Sequence, residues 1–206
     1  MIAIVDYDAG NLRSVERACR AVGVEAAVTR DPETLLRADR IIFPGVGAAP
    51  SAVASLRASG LFEALGEAWA AGTPLLGICV GTQLVLERSE EGDTPGLGFI
   101  EGQTVRFAGL DPALKIPHIG WNAVEIARPH PLLAGVRDGD EFYFVHAYYP
   151  KPAREDDVYA TTCHGVRFCS ALGRGNLFAT QFHPEKSGRF GLGLLERFAK
   201  WSGTAC

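Results

Sequence analysis

The first half of the chain alternates short apolar runs with segments of helical period, the pattern of parallel strands joined by crossover helices. Residues 2–6, 24–29, 40–43 and 73–78 read as strands. Residues 11–22 read as a helix with Leu12, Val15, Cys19 and Val22 on one stripe and Gly23 as its stop. Asp31-Pro32-Glu33 opens a short helix, since Asp can cap free amides and Pro is tolerated in the first turn. Helices are expected within 49–71 and over 80–89.

Past a loop at 90–98 the periodicity turns β-like, at 104–107, 121–126, 141–148, 158–162 and 176–182. Residues 190–201 form a closing helix with Leu194, Leu195 and Phe198 on its apolar face, and the proline-rich stretches 128–131 and 149–152 read as loops. The pattern predicts an α/β fold: a central, mostly parallel sheet flanked by helices, with additional antiparallel strands in the second half. No repeat or linker divides it, so one domain is expected over 1–206.

Composition narrows the function classes. Hydrophobic residues make up 47% and charged residues 21%, which is too apolar for disorder. A net charge of −4 speaks against nucleic acid or an anionic membrane as partner. No apolar run approaches the roughly 20 residues of a bilayer span, and the opening run 1–5 has no basic lead and soon meets Asp6 and Asp8. A cytoplasmic protein is expected. The five cysteines, Cys19, Cys79, Cys163, Cys169 and Cys206, are odd in number and form no tight pairs, which suits separate thiols in a reducing compartment.

One cysteine stands apart. Cys79 ends an apolar strand, begins a helix and has Gly77 and Gly81 two residues to either side. This is the thiol counterpart of the strained strand-to-helix elbow that presents a nucleophile. The glycines remove the Cβ atoms that would collide in so sharp a turn, and the helix N-terminus favours negative charge on the sulfur. Gln83 lies one helical turn on and either meets a bound substrate or is a solvated helix residue.

A thiolate that attacks an amide needs a proton donor for the leaving nitrogen, and histidine suits neutral pH. The apolar segment 176–182 delivers His183, and Pro184 biases it towards an extended conformation. Glu185, two residues on, then falls on the same side and can hold the imidazole tautomer. Cys79, His183 and Glu185 make a cysteine–histidine–carboxylate set. For the developing oxyanion the amide of Val80 is one donor, and Gly47, in the loop Pro44-Gly45-Val46-Gly47, is the other. That loop could also be a plain turn or a phosphate cradle, but no dinucleotide fingerprint accompanies it. His118, His130, His146 and His164 have no metal-site spacing, and neither metal nor cofactor is expected.

PGxG, GxCxGxQ and HPE occur in that order in the class I, or triad, glutamine amidotransferases, which this chain resembles along its whole length. Within that family it is similar to the glutaminase subunits of imidazole glycerol phosphate synthase. Asp6-Tyr7, the segment 10–15, Pro117-His118-Ile119-Gly120-Trp121-Asn122, Tyr143-Phe144-Val145-His146 and the segment 181–187 carry this likeness. Asp8, Val80 and His164 depart from the usual residues. The resemblance implies a flavodoxin-like fold, hydrolysis of glutamine through a thioester on Cys79, and transfer of ammonia to a (β/α)8-barrel synthase subunit in histidine biosynthesis. It further implies that Gln83 and Glu91 contact glutamine, and that Asn11, Trp121, Asn122 and Lys186 lie at or near the partner interface of a heterodimer. The rivals are the glutaminases of pyridoxal phosphate or anthranilate synthesis, which lack the Trp121-Asn122 segment, and a silent regulatory subunit.

Overall fold

The computed structural model describes residues 1–8 and 10–204, so Cys206 lies outside the described residues. Strands β1 (Ile2–Val5), β2 (Ala26–Thr29), β3 (Arg40–Gly45) and β4 (Leu75–Cys79) alternate with helices α1 (Leu12–Ala21), α2 (Pro32–Leu36), α3 (Ala49–Ala58) and α4 (Leu61–Ala70). The stops and caps act as the residue types require. Gly23 takes φ 74° just beyond α1, and the Asp31 carboxylate accepts the Thr34 amide at 3.0 Å to start α2.

The chain continues through α5 (Val80–Leu84), β5 (Leu86–Ser89), β6 (Thr94–Pro95), β7 (Ile100–Arg106), β8 (His118–Ala123), β9 (Glu125–Ile126), β10 (Glu141–His146), β11 (Tyr148–Pro152), β12 (Val158–His164), β13 (Val166–Arg174), β14 (Leu177–Thr180) and α6 (Gly188–Lys200). Eight strands form the main sheet in the order β2-β1-β3-β4-β14-β13-β12-β9. β2 through β14 pair in parallel and the remainder antiparallel. β1, β4 and β14 are buried along their whole length, as central parallel strands covered by helices on both faces must be. The core holds Phe43, Phe178, Phe182 and Phe198 with no exposed surface. Burial of each such side chain contributes about 1.5–3 kcal/mol.

Three expectations are corrected. The helix expected over 80–89 stops at Leu84, and 86–89 form β5 instead. The carbonyls of Leu84 and Leu86 are taken by the amides of Leu97 and Gly98, and β5 pairs in parallel with β7, so tertiary pairing overrides the local helical pattern. The loop expected at 149–152 is strand β11, paired antiparallel with β7. β11 is the outer strand of the four-stranded sheet β11-β7-β5-β6, where prolines are tolerated. β13 was not expected; its residues 168–173 are all buried, so no alternation marks it as a strand.

Register places the chemistry. Gly45 at the end of β3 pairs with Cys79 at the end of β4, and Thr180 of β14 pairs with Ile78 on the other side. The PGVG loop and the segment leading to His183 therefore flank the cysteine at the carboxyl edge of the sheet, where open α/β sheets hold their sites.

Candidate active site

Cys79 takes φ 55° and ψ −104°, a backbone conformation that side chains disfavour. The turn closes because its neighbours lack side chains. A Cβ on Gly81 would stand 1.9 Å from the Phe43 carbonyl oxygen, one on Gly77 would stand 2.9 Å from Ala179 Cβ, and one on Gly45 would stand 2.0 Å from the Tyr7 hydroxyl. The sulfur emerges against Val145, whose carbonyl lies 3.9 Å away.

His183 follows β14 in extended conformation, φ −98° and ψ 98°, as a residue before proline should. Its amide donates to the Tyr143 carbonyl at 2.9 Å, and Ser187 Oγ donates to its carbonyl at 2.6 Å while accepting the Tyr143 amide at 3.0 Å. Two elements thus clamp its backbone. Nδ1 donates to Glu185 Oε1 at 2.7 Å, with both side chains fully buried. Asn11 Nδ2 donates to the same oxygen. His183 Nε2 has no hydrogen-bonding partner within the protein. Burial opposes a charge on this ring, but Cys79 and then Glu185 outweigh it and push its pKa up to about 10. Its protonated form is therefore favoured at neutral pH, beside the sulfur.

Cys79 opens into a cavity of about 410 Å³ whose walls include Gly47, Val80, Gln83, Glu91 and Lys186. Five of the residues singled out in the sequence thus share one cavity with the cysteine. Gln83 is buried, which removes the solvated-helix alternative. Its Nε2 donates to the Tyr148 carbonyl at 2.9 Å and to Gln181 Oε1 at 3.2 Å. Glu91 accepts the Ala49 amide at 2.7 Å, at the start of α3. A groove of about 420 Å³ beside Met1, Glu16 and Arg20 is as large but is lined by no cysteine, serine or histidine.

Trp121 and Asn122 are not among the residues that wall the cavity. Trp121 is half exposed and packs edge-on to Tyr143, whose ring also carries Lys186 Nζ at 5.6 Å. Asn122 donates to the Cys163 carbonyl at 2.9 Å and bonds His118 Nε2 at 3.1 Å. His164 stacks on His118 and bonds the Lys115 carbonyl at 3.0 Å, while His130 accepts the Leu132 amide and stacks on Phe178. Among the described residues no group of three or more His, Cys, Asp or Glu is arranged to hold a metal ion.

Two residues at the site were not singled out from the sequence. Gln181 Nε2 reaches Cys79 Sγ at 3.7 Å; its place two residues before His183, on the same side of an extended chain, was the available signal. Tyr7 is buried with an unpartnered hydroxyl against Gly45; it belongs to the Asp6-Tyr7 pair that carries the family likeness, but no local pattern places it at the site.

The model of the family "Glutamine amidotransferase class-I" matches residues 3–200. The imidazole glycerol phosphate synthase subunit HisH of Chromobacterium violaceum is 48% identical over 209 residues, covering 98% of each chain. That of Dehalococcoides mccartyi is 49% identical over 201 residues, covering 97% of each. Among solved structures, a glutamine amidotransferase superposes with TM-score 0.76 at 20% identity, covering 98% of this chain and 100% of that one. The structure of PurLQS from Thermotoga maritima gives 0.73 at 17% identity, with 97% of each covered, and these two show the shared fold. The chain belongs to the class-I glutamine amidotransferase family, in the group of the HisH subunits of imidazole glycerol phosphate synthase.

Proposed function

We propose that the chain, as one amidotransferase domain over 1–206, hydrolyses glutamine and passes the ammonia to a (β/α)8-barrel synthase subunit in the cytoplasm. There the ammonia is built into imidazole glycerol phosphate, with release of an aminoimidazole carboxamide ribonucleotide. The observation that carries this reading is the strained Cys79, in the wall of the cavity, together with the buried His183–Glu185 pair whose ring pKa it raises to about 10. No described helix is long and apolar enough to cross a membrane.

Cys79 sulfur attacks the side-chain carbonyl carbon of glutamine, and the oxyanion is met by the amides of Val80 and Gly47. His183 Nε2–H protonates the departing nitrogen, so ammonia leaves and a glutamyl thioester remains. Water, deprotonated by the now neutral His183, then attacks the thioester; glutamate leaves and the sulfur regains its starting state. Glu185 holds the ring in the tautomer that this exchange requires. Gln83, whose nitrogen is committed to Tyr148 and Gln181, offers its oxygen to the substrate, and Glu91 offers charge to the substrate ammonium.

Asn11, Trp121, Asn122 and Lys186 form or border the docking face. The exposure of Ile119 and Trp121, at 62% and 53%, supports a covered surface there. A sealed handover has its own chemical reason: ammonia released into water becomes ammonium and is no longer a nucleophile.

The test is the complex with the barrel subunit. Cys79→Ala should abolish glutamate release and glutamine-dependent synthesis while synthesis from ammonium salts persists. Glutamate release that survives the substitution overturns the reading.

A further inference from the structure

Gln181 is fully buried and bridges two other site residues. Its Oε1 accepts from Gln83 Nε2 at 3.2 Å and its Nε2 donates to Cys79 Sγ at 3.7 Å. The direction of that amide follows from its surroundings. The Tyr148 carbonyl can only accept, and it takes Gln83 Nε2 at 2.9 Å. The nitrogen end of Gln83 therefore faces Gln181, which must answer with its oxygen, leaving its own NH2 group aimed at the sulfur.

A second hydrogen-bonded chain reaches the Tyr148 carbonyl from its other side. His146 Nδ1 bonds the Tyr148 carbonyl at 2.8 Å, His146 Nε2 bonds His118 Nδ1 at 3.1 Å, and His118 Nε2 bonds Asn122 Nδ2 at 3.1 Å. With both rings neutral and protonated on Nδ1, every bond from Asn122 to Tyr148 has one donor and one acceptor. Both chains end on the Tyr148 carbonyl as acceptor, and it is this carbonyl that sets the direction of the Gln83 and Gln181 amides.

We propose that Gln181 is a donor to the Cys79 sulfur that favours its anionic form, and that Gln83 is the positioning residue that keeps the Gln181 amide turned towards it. This rests on the reading of Cys79 as the nucleophile. A protonated thiol donates to the Val145 carbonyl at 3.9 Å, whereas the anion accepts from Gln181. The titratable groups about the sulfur are His183, backed by Glu185, and the buried Tyr7 phenol, with Glu91, His146 and Lys186 in the walls of the same cavity. Gln181 is the uncharged member, so its replacement changes hydrogen bonding without changing the local charge.

The experiment follows iodoacetamide alkylation of Cys79 against pH, read by peptide mass so that the other cysteines do not contribute, with thermal midpoints as a folding control. Gln181→Met should slow alkylation at pH 7 by about tenfold and move the profile to higher pH, the size expected for a hydrogen bond to a charged group. Gln181→Glu, with a carboxylate in place of the donor, should slow it further. Gln83→Leu should produce a smaller loss, and Gln83→Leu with Gln181→Met should be no slower than Gln181→Met alone. A Gln181→Met profile that overlays the parent overturns the proposal and leaves the glutaminase reading standing. A parent Cys79 that reacts no faster than free glutathione overturns both. If Gln181→Met does not fold, the Gln181→Glu and Gln83→Leu profiles decide by the same criterion.

Discussion

Asn11 and Glu185 are 174 positions apart, and the Asn11 side-chain amide donates to the Glu185 oxygen that also receives His183 Nδ1–H. Asn11 sits before α1 with φ 76°, a left-handed conformation that asparagine tolerates better than most residues, and its side chain caps nothing in the helix. Its amide is spent on the carboxylate. Besides bordering the proposed docking face, Asn11 therefore orients the group that orients the proposed base.

Asn11→Ala should lower kcat for glutamine hydrolysis by roughly 10- to 100-fold, the equivalent of one hydrogen bond to a charged group, with little change in KM. Asn11→Asp should be worse, because two carboxylates would then face each other across the same gap. Steady-state glutaminase assays on the complex check both. An Asn11→Asp variant as active as the parent removes Asn11 from the site and leaves it only the docking role.

The conformation of Cys79 yields a prediction in which activity and stability part. At φ 55° and ψ −104° the residue occupies a region that costs a side chain about 1–3 kcal/mol and glycine little. Cys79→Gly should abolish glutaminase activity yet raise the thermal midpoint by roughly 2–4 °C for each kcal/mol of strain relieved. Gly81→Ala should do the reverse to stability, since its Cβ would stand 1.9 Å from the Phe43 carbonyl oxygen and the backbone would have to move. Calorimetry separates the cases. A Cys79→Gly variant that melts below Cys79→Ala denies the strain.

What could be read from the sequence and what could not divides along the range of the interaction. Gly77, Cys79 and Gly81, the PGVG loop and His183-Pro184-Glu185 each pack a geometric requirement into a few adjacent positions, so spacing alone exposes them. The parallel half of the sheet is equally legible, because apolar runs and helical stripes alternate there. Asn11 is different: its partner is set by how β1 and β14 lie in one sheet, and no local pattern carries that. β13 is buried on both faces and shows no alternation, and β11 hides behind prolines that only an edge position permits. Helix α5 is cut short because the amides of Leu97 and Gly98 take the carbonyls of Leu84 and Leu86, again a contact beyond the local window.

The neutral histidines make stability depend on pH in a direction opposite to that of His183. Burial holds His118 at about 4, His130 at about 4 and His146 at about 3, against 6.5 for an unperturbed histidine. Between those values the unfolded chain takes up protons that the folded chain refuses. Stability from these three groups is therefore full above about 6.5, and it falls as pH drops towards about 4, by at most about 1.4 kcal/mol per pH unit for each histidine. His183, raised to about 10, adds stability that is full below 6.5 and is lost progressively as pH climbs from there to about 10, so below 6.5 it cannot offset a further loss on the acid side. Urea unfolding between pH 6.5 and 4.5 should show the midpoint falling steadily, and replacing His118 and His146 together by uncharged residues should flatten that slope. A midpoint independent of pH from 6.5 to 5 would mean that the buried histidines can take protons without penalty. The Asn122-to-Tyr148 chain would then not require both of its rings to be neutral.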